Sequence, residues 1–206
     1  MGKKNMNQIK KTDFYFDDKI MDYHFLFNSL ETINCLALSI GASEICKVTL
    51  ALANMFRFVI NDNQATVLLK DEIDFTNEYL TIQAVRYNEN LTFEIDSSHI
   101  MLTVMCPRFL IQSIVNRMIH YYIEKKDLVS HIKIAIEPKS NSVVVTIRNN
   151  LKDLQRNLLG KKEEELLKEE ILDIGKSSQA DKNYDIKIIN CDKTGITVKL
   201  ELYSIF

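Results

Sequence analysis

Apolar residues dominate the first part of the chain in a pattern that predicts a long helix. The predicted helix spans residues 13–40 and ends at Gly41. Between Ile20 and Ile40, apolar residues occur on nearly every side of it. A helix that is hydrophobic all round has to be covered all round.

A second predicted helix completes a helical hairpin. Ser43 is suited to cap this helix, which runs to about residue 60. The turn-forming stretch NDNQ at 61–64 then separates two parts. We therefore predict a helical hairpin domain at 1–63 and a second domain at 64–206.

The second part alternates between helical and strand patterns. It begins with a short run at 65–69, a helix over 71–87, a strand at 91–97 and an apolar run at 100–106. Pro107 then opens a helix that runs to about 125, and a strand hairpin follows around 139–141. A polar helix from 151 to about 172 and a closing strand pair, YDIKIIN and TGITVKLELY, complete the chain. This order predicts an α+β fold with a sheet and helices on one of its faces.

The first helix has more apolar surface than the hairpin itself can cover. The second helix covers one flank only. A second copy of the same hairpin supplies the missing cover, so we expect a homodimer that is held together by a four-helix bundle.

Composition and charge exclude several classes of function. Hydrophobic residues make up 46% and charged residues 26% of the 206 residues, as in ordinary globular domains. The formal net charge of −2 gives no reason to expect a nucleic acid partner. No apolar run approaches the roughly 18 residues that a membrane segment needs. The four cysteines lack the spacing of a zinc site or disulfide framework, so we expect reduced thiols in a cytoplasmic protein.

One polar stripe interrupts the apolar surface of the first helix. At about 100° per residue, Asp17, Asn28 and Glu31 fall within roughly 40° of His24. A solvent-facing histidine whose backbone is fixed by apolar neighbours is suited to nucleophilic chemistry. Asn28 lies one turn later, where its amide is placed to orient a water or a phosphoryl group. Polar stripes are common on helices, so the pattern alone leaves open a surface histidine without a role.

Several motifs resemble the LytS-type sensor histidine kinases. HFLFNSLETI at 24–33 is similar to their phosphoacceptor motif P-H-F-L-F-N, with Tyr23 in place of the proline. LANMFRFVI at 52–60 resembles the second bundle helix with its L-R-Y-type signature. Residues 68–91 resemble a further family segment through Glu72, Tyr79, Leu80, Ile82 and Arg86. The resemblance implies that His24 is the phosphoacceptor, and that the second domain is a GHKL-type α/β sandwich.

The same resemblance shows where the nucleotide motifs are lost. Arg117 stands where the family has its magnesium-coordinating asparagine, and a guanidinium offers no acceptor oxygen to a cation. The glycine box D-x-G-x-G corresponds to NNL at 149–151, and the glycine-rich lid to an acidic stretch that retains Gly175 alone. We therefore expect a degenerate domain that holds neither ATP nor magnesium of its own.

These observations favour a phosphorelay protein that descends from a kinase. His24 would exchange a phosphoryl group with the aspartate of a response-regulator receiver domain, which brings its own magnesium. Two alternatives stay open. One is a non-catalytic pseudokinase that binds or sequesters a response regulator or a partner kinase. The other is an active sensor histidine kinase fragment with a divergent ATP site, or the cytoplasmic part of a longer membrane sensor.

Overall fold

The structure, a computed structural model, describes residues 23–61, 64–96, 104–151, 161–177, 183–192 and 194–203. Within these ranges the α-helices are α1 (Tyr23–Ser39), α2 (Ser43–Asn61), α3 (Leu69–Tyr87), α4 (Leu110–Ile119) and α5 (Lys161–Ser177). The strands are β1 (Thr66–Leu68), β2 (Leu91–Asp96), β3 (Met105–Pro107), β4 (Ser130–Pro138), β5 (Ser142–Leu151), β6 (Tyr184–Asp192) and β7 (Gly195–Tyr203).

The N-terminal hairpin turns where the sequence predicts. Gly41 has a φ of +70°, and its N–H donates to the Leu38 carbonyl at 3.1 Å. Glycine adopts this left-handed conformation without the steric cost of a Cβ, which ends α1 cleanly. α2 begins at Ser43 and returns along α1. The helical hairpin is confirmed from Tyr23 onward, whereas predicted helical residues 13–22 lie outside the described residues.

The main sheet has five strands in the order β2-β4-β5-β7-β6. β2 runs parallel to β4, and the remaining neighbours are antiparallel. The predicted hairpin between β4 and β5 is confirmed, because the Lys139 N–H donates to the Ser142 carbonyl at 2.8 Å across the turn. β1 and β3 pair separately as a short antiparallel ribbon.

Three helices cover one face of this sheet. Alternate strand residues point into the core, as the period of two in their sequences predicts. The largest buried cluster joins residues of α3, α4 and α5 to the inner face of the sheet: Leu69, Ile73, Leu80, Ile111, Ile114, Met118, Leu167, Ile171, Ile132, Ile134, Val145, Ile147, Val198 and Leu200. The α+β fold class, a hairpin followed by a sheet with helices on one face, is confirmed.

The prediction that Pro107 opens a helix is wrong. Pro107 ends β3 and pairs with Thr66 of β1, and the lack of an N–H donor is tolerated in so short a ribbon. Phe109 then takes a left-handed conformation with φ of 63°, and α4 begins only at Leu110. The helix continues past Ile119 as a π-helical turn over His120–Glu124.

The described part of the polar helix predicted over 151–172 is α5, which continues to Ser177. Leu151 belongs to β5 instead, and its N–H donates to the Thr194 carbonyl at 3.0 Å. α5 is amphipathic, because Leu167 and Ile171 are fully buried while Glu165 and Glu169 are exposed. The charged run in the sequence therefore includes an apolar stripe that packs on the core. Residues 152–160 lie outside the described residues.

An aromatic cluster joins the hairpin to the rest of the chain. The ring of Phe58 on α2 stacks on Phe75 of α3, with centroids 4.6 Å apart, and both rings contact Phe109 edge-on. The Arg108 guanidinium lies over Phe58 and Phe109 and donates to the Phe58 carbonyl. The two parts are therefore packed together, and a domain boundary at residue 63 stays a prediction.

Candidate functional site

His24 lies in the first turn of α1 and is exposed. Asn28 and Glu31 are exposed on the same side of the helix, so the polar stripe faces solvent as predicted. Asp17, the fourth member of that stripe, lies outside the described residues. Leu30 is buried against α2, and it fixes the orientation of the turn that carries Asn28. The structure thus presents His24 on a rigid helix with its side chain accessible.

A groove lies between α1 and α2, and its wall on α1 begins at Phe27, three residues after His24. It has a volume of about 260 Å³, and its walls are formed by Phe27, Leu30, Glu31, Asn34, Thr49, Leu50, Ala53 and Arg57. The side-chain carbonyl of Asn34 is buried and has no hydrogen-bond partner among the described residues. Such an orphan acceptor is rare, and it leaves the groove with a polar group to satisfy.

Arg57 reaches from α2 across this groove to α1. Its guanidinium carbon lies 5.2 Å from the ring centroid of Phe27. Nη1 of Arg57 donates to Asn54 Oδ1 at 2.9 Å, and Nδ2 of Asn54 donates to Glu78 Oε1 at 2.8 Å. The chain of hydrogen bonds from α3 through α2 holds the guanidinium in place. Sequence reasoning noted Arg57 only as part of a family signature, since no local pattern shows which helix it faces.

The opposite flank of the hairpin is apolar and exposed. On α1, Phe25 is 71% exposed, Leu36 63% and Ile40 76%, and Ile33 is exposed beside them. These four residues fall within an arc of about 80° of the helix. On α2, Ile45 and Val59 are exposed as well. Contiguous apolar surface of this kind marks an interaction site.

The helix that bears Arg117 is tied to α5. Nε of Arg117 donates to Glu170 Oε2 at 2.6 Å, and the two side chains form an ion pair. Lys126 donates to both carboxylate oxygens of Glu163 at 2.8 Å, which adds a second link to α5. The guanidinium of Arg117 is therefore occupied by a carboxylate of the same chain.

The residues that the resemblance compares with the first glycine box include the buried side chains of Asn149 and Leu151. Asn149 is buried, and its Nδ2 donates to Ser130 Oγ at 3.4 Å. Asn149, Ile196 and Cys191 form a row across β5, β7 and β6. Tyr122 is fully buried, and burial raises the pKa of its phenol and of the Cys191 thiol beside it. Within the described ranges, no cluster of three His, Cys, Asp or Glu side chains is arranged to hold a metal.

Glu72 has a structural task that the sequence did not reveal. It is fully buried on α3 and accepts hydrogen bonds from the N–H groups of Phe109, Ile111 and Gln112, at 2.8, 3.0 and 3.3 Å. It thereby caps the N-terminus of α4 from a neighbouring helix. Burial raises the pKa of this carboxyl to about 7, although the three donors and Arg108 act in the opposite direction.

Comparisons with known proteins show that the chain is similar to histidine kinases. Residues 19–91, which contain the hairpin and α3, match the family model described as histidine kinase. The sensor histidine kinase YesM of Bacillus subtilis is 28% identical over 142 residues, which are 69% of this chain and 25% of YesM. The sensor protein kinase HptS of Staphylococcus aureus is 25% identical over 122 residues, 59% of this chain and 23% of HptS. The chain spans about a quarter of the length of these curated relatives.

Among solved structures, the catalytic domain of the histidine kinase ThkA is similar, with a TM-score of 0.47 and 17% identity, covering 68% of this chain and 94% of that one. The family model and these relatives show that the chain is similar to histidine kinases. Within the described ranges, no helix combines the length and apolar character that a membrane span requires.

Proposed function

We propose that this protein carries a phosphoryl group on His24 and exchanges it with the receiver domain of a response regulator. The observation that carries the proposal is the exposure of His24 on α1, inside the segment that matches the histidine kinase family. Asn28 lies one turn further on the same exposed side, where it is placed to orient the phosphoryl group. Phosphoryl transfer needs positioning and charge stabilisation more than covalent machinery of the protein.

The transfer step is a displacement at phosphorus. A ring nitrogen of His24 attacks the phosphorus of the receiver's aspartyl phosphate, so an N–P bond forms as the P–O bond to the aspartate breaks. The aspartate leaves as a carboxylate, and the imidazolium releases its proton to water. The attacking nitrogen has to present its lone pair, so the neutral imidazole is the reactive form. The reverse reaction returns the phosphoryl group to the receiver.

The groove between α1 and α2 is the surface that we assign to the receiver. Its walls include Phe27 and Glu31, which lie within two turns of His24 on α1. A partner helix that enters the groove could donate a hydrogen bond to the orphan carbonyl of Asn34. The groove thus offers apolar contact, charge and one unsatisfied acceptor close to the phosphoacceptor.

The exposed apolar flank supports a homodimer. Phe25, Ile33, Leu36 and Ile40 would lie in contact with the same residues of a second copy and would form the core of a four-helix bundle. The groove and His24 lie on other sides of the hairpin and stay accessible in such a dimer. Each protomer would therefore offer its own phosphoacceptor.

We propose further that the second domain binds neither ATP nor magnesium. Arg117 brings a positive charge to the position of the family's magnesium ligand, and this charge is satisfied by Glu170. The acidic α5 replaces the glycine-rich lid of the family, and Asn149 and Leu151 stand in place of its glycine box. These three changes, in the magnesium ligand, the glycine box and the lid, all argue against nucleotide binding.

Replacing Arg117 by asparagine alone is expected not to restore nucleotide binding. The single change returns an amide oxygen, but Asn149 and Leu151 still stand in the glycine box and an acidic helix still replaces the glycine-rich lid. Isothermal titration calorimetry with magnesium and ATP at millimolar concentration should give no binding heat for the wild type or for Arg117→Asn. Arg148→Asn, an exposed arginine on the outer face of the sheet, controls for the lost charge. Binding by the wild type would contradict the proposed loss.

The proposed function is tested by following acid-labile label on the protein. The purified chain is incubated with phosphorylated receiver domains and, separately, with radiolabelled ATP and magnesium. We expect label to arrive from a receiver only, to be absent from His24→Ala, and to persist in His120→Ala, which removes another exposed histidine. Label from ATP would identify an active kinase. No label from any receiver, with binding intact, would favour a sequestering pseudokinase.

A further inference from the structure

Arg57 of α2 contacts α1 one helical turn after the proposed phosphoacceptor. Its guanidinium lies over Phe27, which follows His24 by three residues. Three residues separate two positions on a helix by about 4.5 Å along the axis and by about 60° around it. Arg57 and Glu31 also line the same groove. A cationic group from α2 therefore contacts α1 at a residue that lies about one helical turn from His24.

Arg57 is also held in a fixed orientation. Asn54 accepts a hydrogen bond from its Nη1, and Glu78 on α3 anchors Asn54 in turn. The Phe27 ring covers one face of the guanidinium. A charge that is already oriented needs little reorganisation when negative charge develops beside it, and such charges stabilise transition states effectively.

We propose that Arg57 stabilises the negative charge of the phosphoryl group while it is transferred to or from His24, with Asn54 and Glu78 as its positioning residues. This inference rests on the proposed function, because it assigns a role in that reaction. The transferring phosphoryl group spreads charge over three oxygens, and a guanidinium fork matches two of them at once. A lysine ammonium supplies the charge without the fork.

A small phosphodonor tests the inference without a partner protein. Phosphoramidate transfers its phosphoryl group to an imidazole: the N–P bond to His24 forms, the donor's P–N bond breaks, and ammonia leaves. The full chain is incubated with phosphoramidate, and the acid-labile phosphate on His24 is followed over time by mass spectrometry. The variants are Arg57→Gln, Arg57→Lys and Arg57→Ala. Lys47→Gln, an exposed cation at the far end of the same helix, is the matched control.

We expect Arg57→Gln to slow phosphorylation about 10- to 100-fold, which is the effect of losing one charge-assisted hydrogen bond in the transition state. Arg57→Lys should fall between Arg57→Gln and the wild type, and Lys47→Gln should match the wild type. Added ethylguanidinium should restore part of the rate of Arg57→Ala, which a purely structural role would not allow.

Three results separate the possible failures. Equal rates for Arg57→Gln and Lys47→Gln would overturn the inference while leaving His24 as phosphoacceptor. A slow Arg57→Ala that ethylguanidinium does not rescue, with a lowered unfolding midpoint, would reduce Arg57 to a packing role and overturn it as well. A wild type that acquires no phosphate at His24 from phosphoramidate or from any receiver would contradict the proposed function itself.

Discussion

Glu72→Ala is expected to lower the free energy of unfolding by about 3–5 kcal/mol. The carboxylate satisfies the N–H groups of Phe109, Ile111 and Gln112 inside the core, and alanine leaves all three without their acceptor. Phe109 also loses the bond that holds its left-handed backbone. Urea denaturation followed by circular dichroism measures the effect.

A matched control is available one residue away. Asp71 is exposed in the first turn of α3, where a carboxylate gains only weak stabilisation from the helix dipole. Asp71→Ala is therefore expected to cost less than about 1 kcal/mol. Similar losses for the two variants would show that water replaces the Glu72 carboxylate at the start of α4, and the capping role would be wrong.

Glu72 also makes a specific contribution to the pH dependence of stability. The pKa of its carboxyl is about 7 in the folded protein, raised mainly by burial, against 4.5 for the free group. Between these values the folded state binds more protons than the unfolded state, so its stability falls as pH rises. The contribution is fully present below about pH 4.5 and is lost by about pH 7, with a limit of about 3 kcal/mol.

Glu72→Gln isolates this contribution. Glutamine keeps one carbonyl acceptor but cannot titrate, and its amide nitrogen opposes one of the N–H donors. We expect the stability advantage of the wild type over Glu72→Gln to be larger at pH 5 than at pH 8. Surface carboxyls with lowered pKa, such as Glu124 and Asp192, act in the opposite direction but equally in both proteins. An advantage that grows with pH would mean that the N–H donors lower the pKa of Glu72.

Local patterns were sufficient to predict the hairpin and most of the sheet. Gly41 marks its turn because its left-handed backbone favours glycine, and the strands alternate because one face of the sheet is buried. Those signals lie within a few residues of the element they define. The exposed side of α1 that bears His24 followed from the same helical periodicity.

The contacts that organise the second part depend on residues far apart in the chain. Glu72 and Phe109 are separated by 37 positions, and Arg117 and Glu170 by 53. No periodicity encodes such pairs, so the cap of α4 and the attachment of α5 could not be predicted. Pro107 was misassigned for a related reason, because a ribbon of three-residue strands is too short to show a period.

The apolar pattern of α1 predicts a contact with a second copy of the chain. Among the described residues of this helix, only Leu30 and Ala37 are buried, although its sequence is apolar on nearly every side. α2 covers one side, and the groove with Arg57 lies on another. The apolar arc of Phe25, Ile33, Leu36 and Ile40 is left facing outward, and the cost of hydrating it favours a second copy.

Leu36→Glu is expected to raise the dissociation constant of the proposed homodimer by at least about 100-fold. In a two-fold symmetric dimer the substitution enters twice and places two carboxylates in the apolar contact. Leu38→Glu is the matched control, because Leu36 and Leu38 are both 63% exposed but lie about 200° apart on the helix. Sedimentation velocity over a range of concentrations should show monomers for Leu36→Glu, and dimers for the wild type and Leu38→Glu. Equal dissociation of both variants, or a wild type that stays monomeric, would contradict the proposed four-helix-bundle dimer.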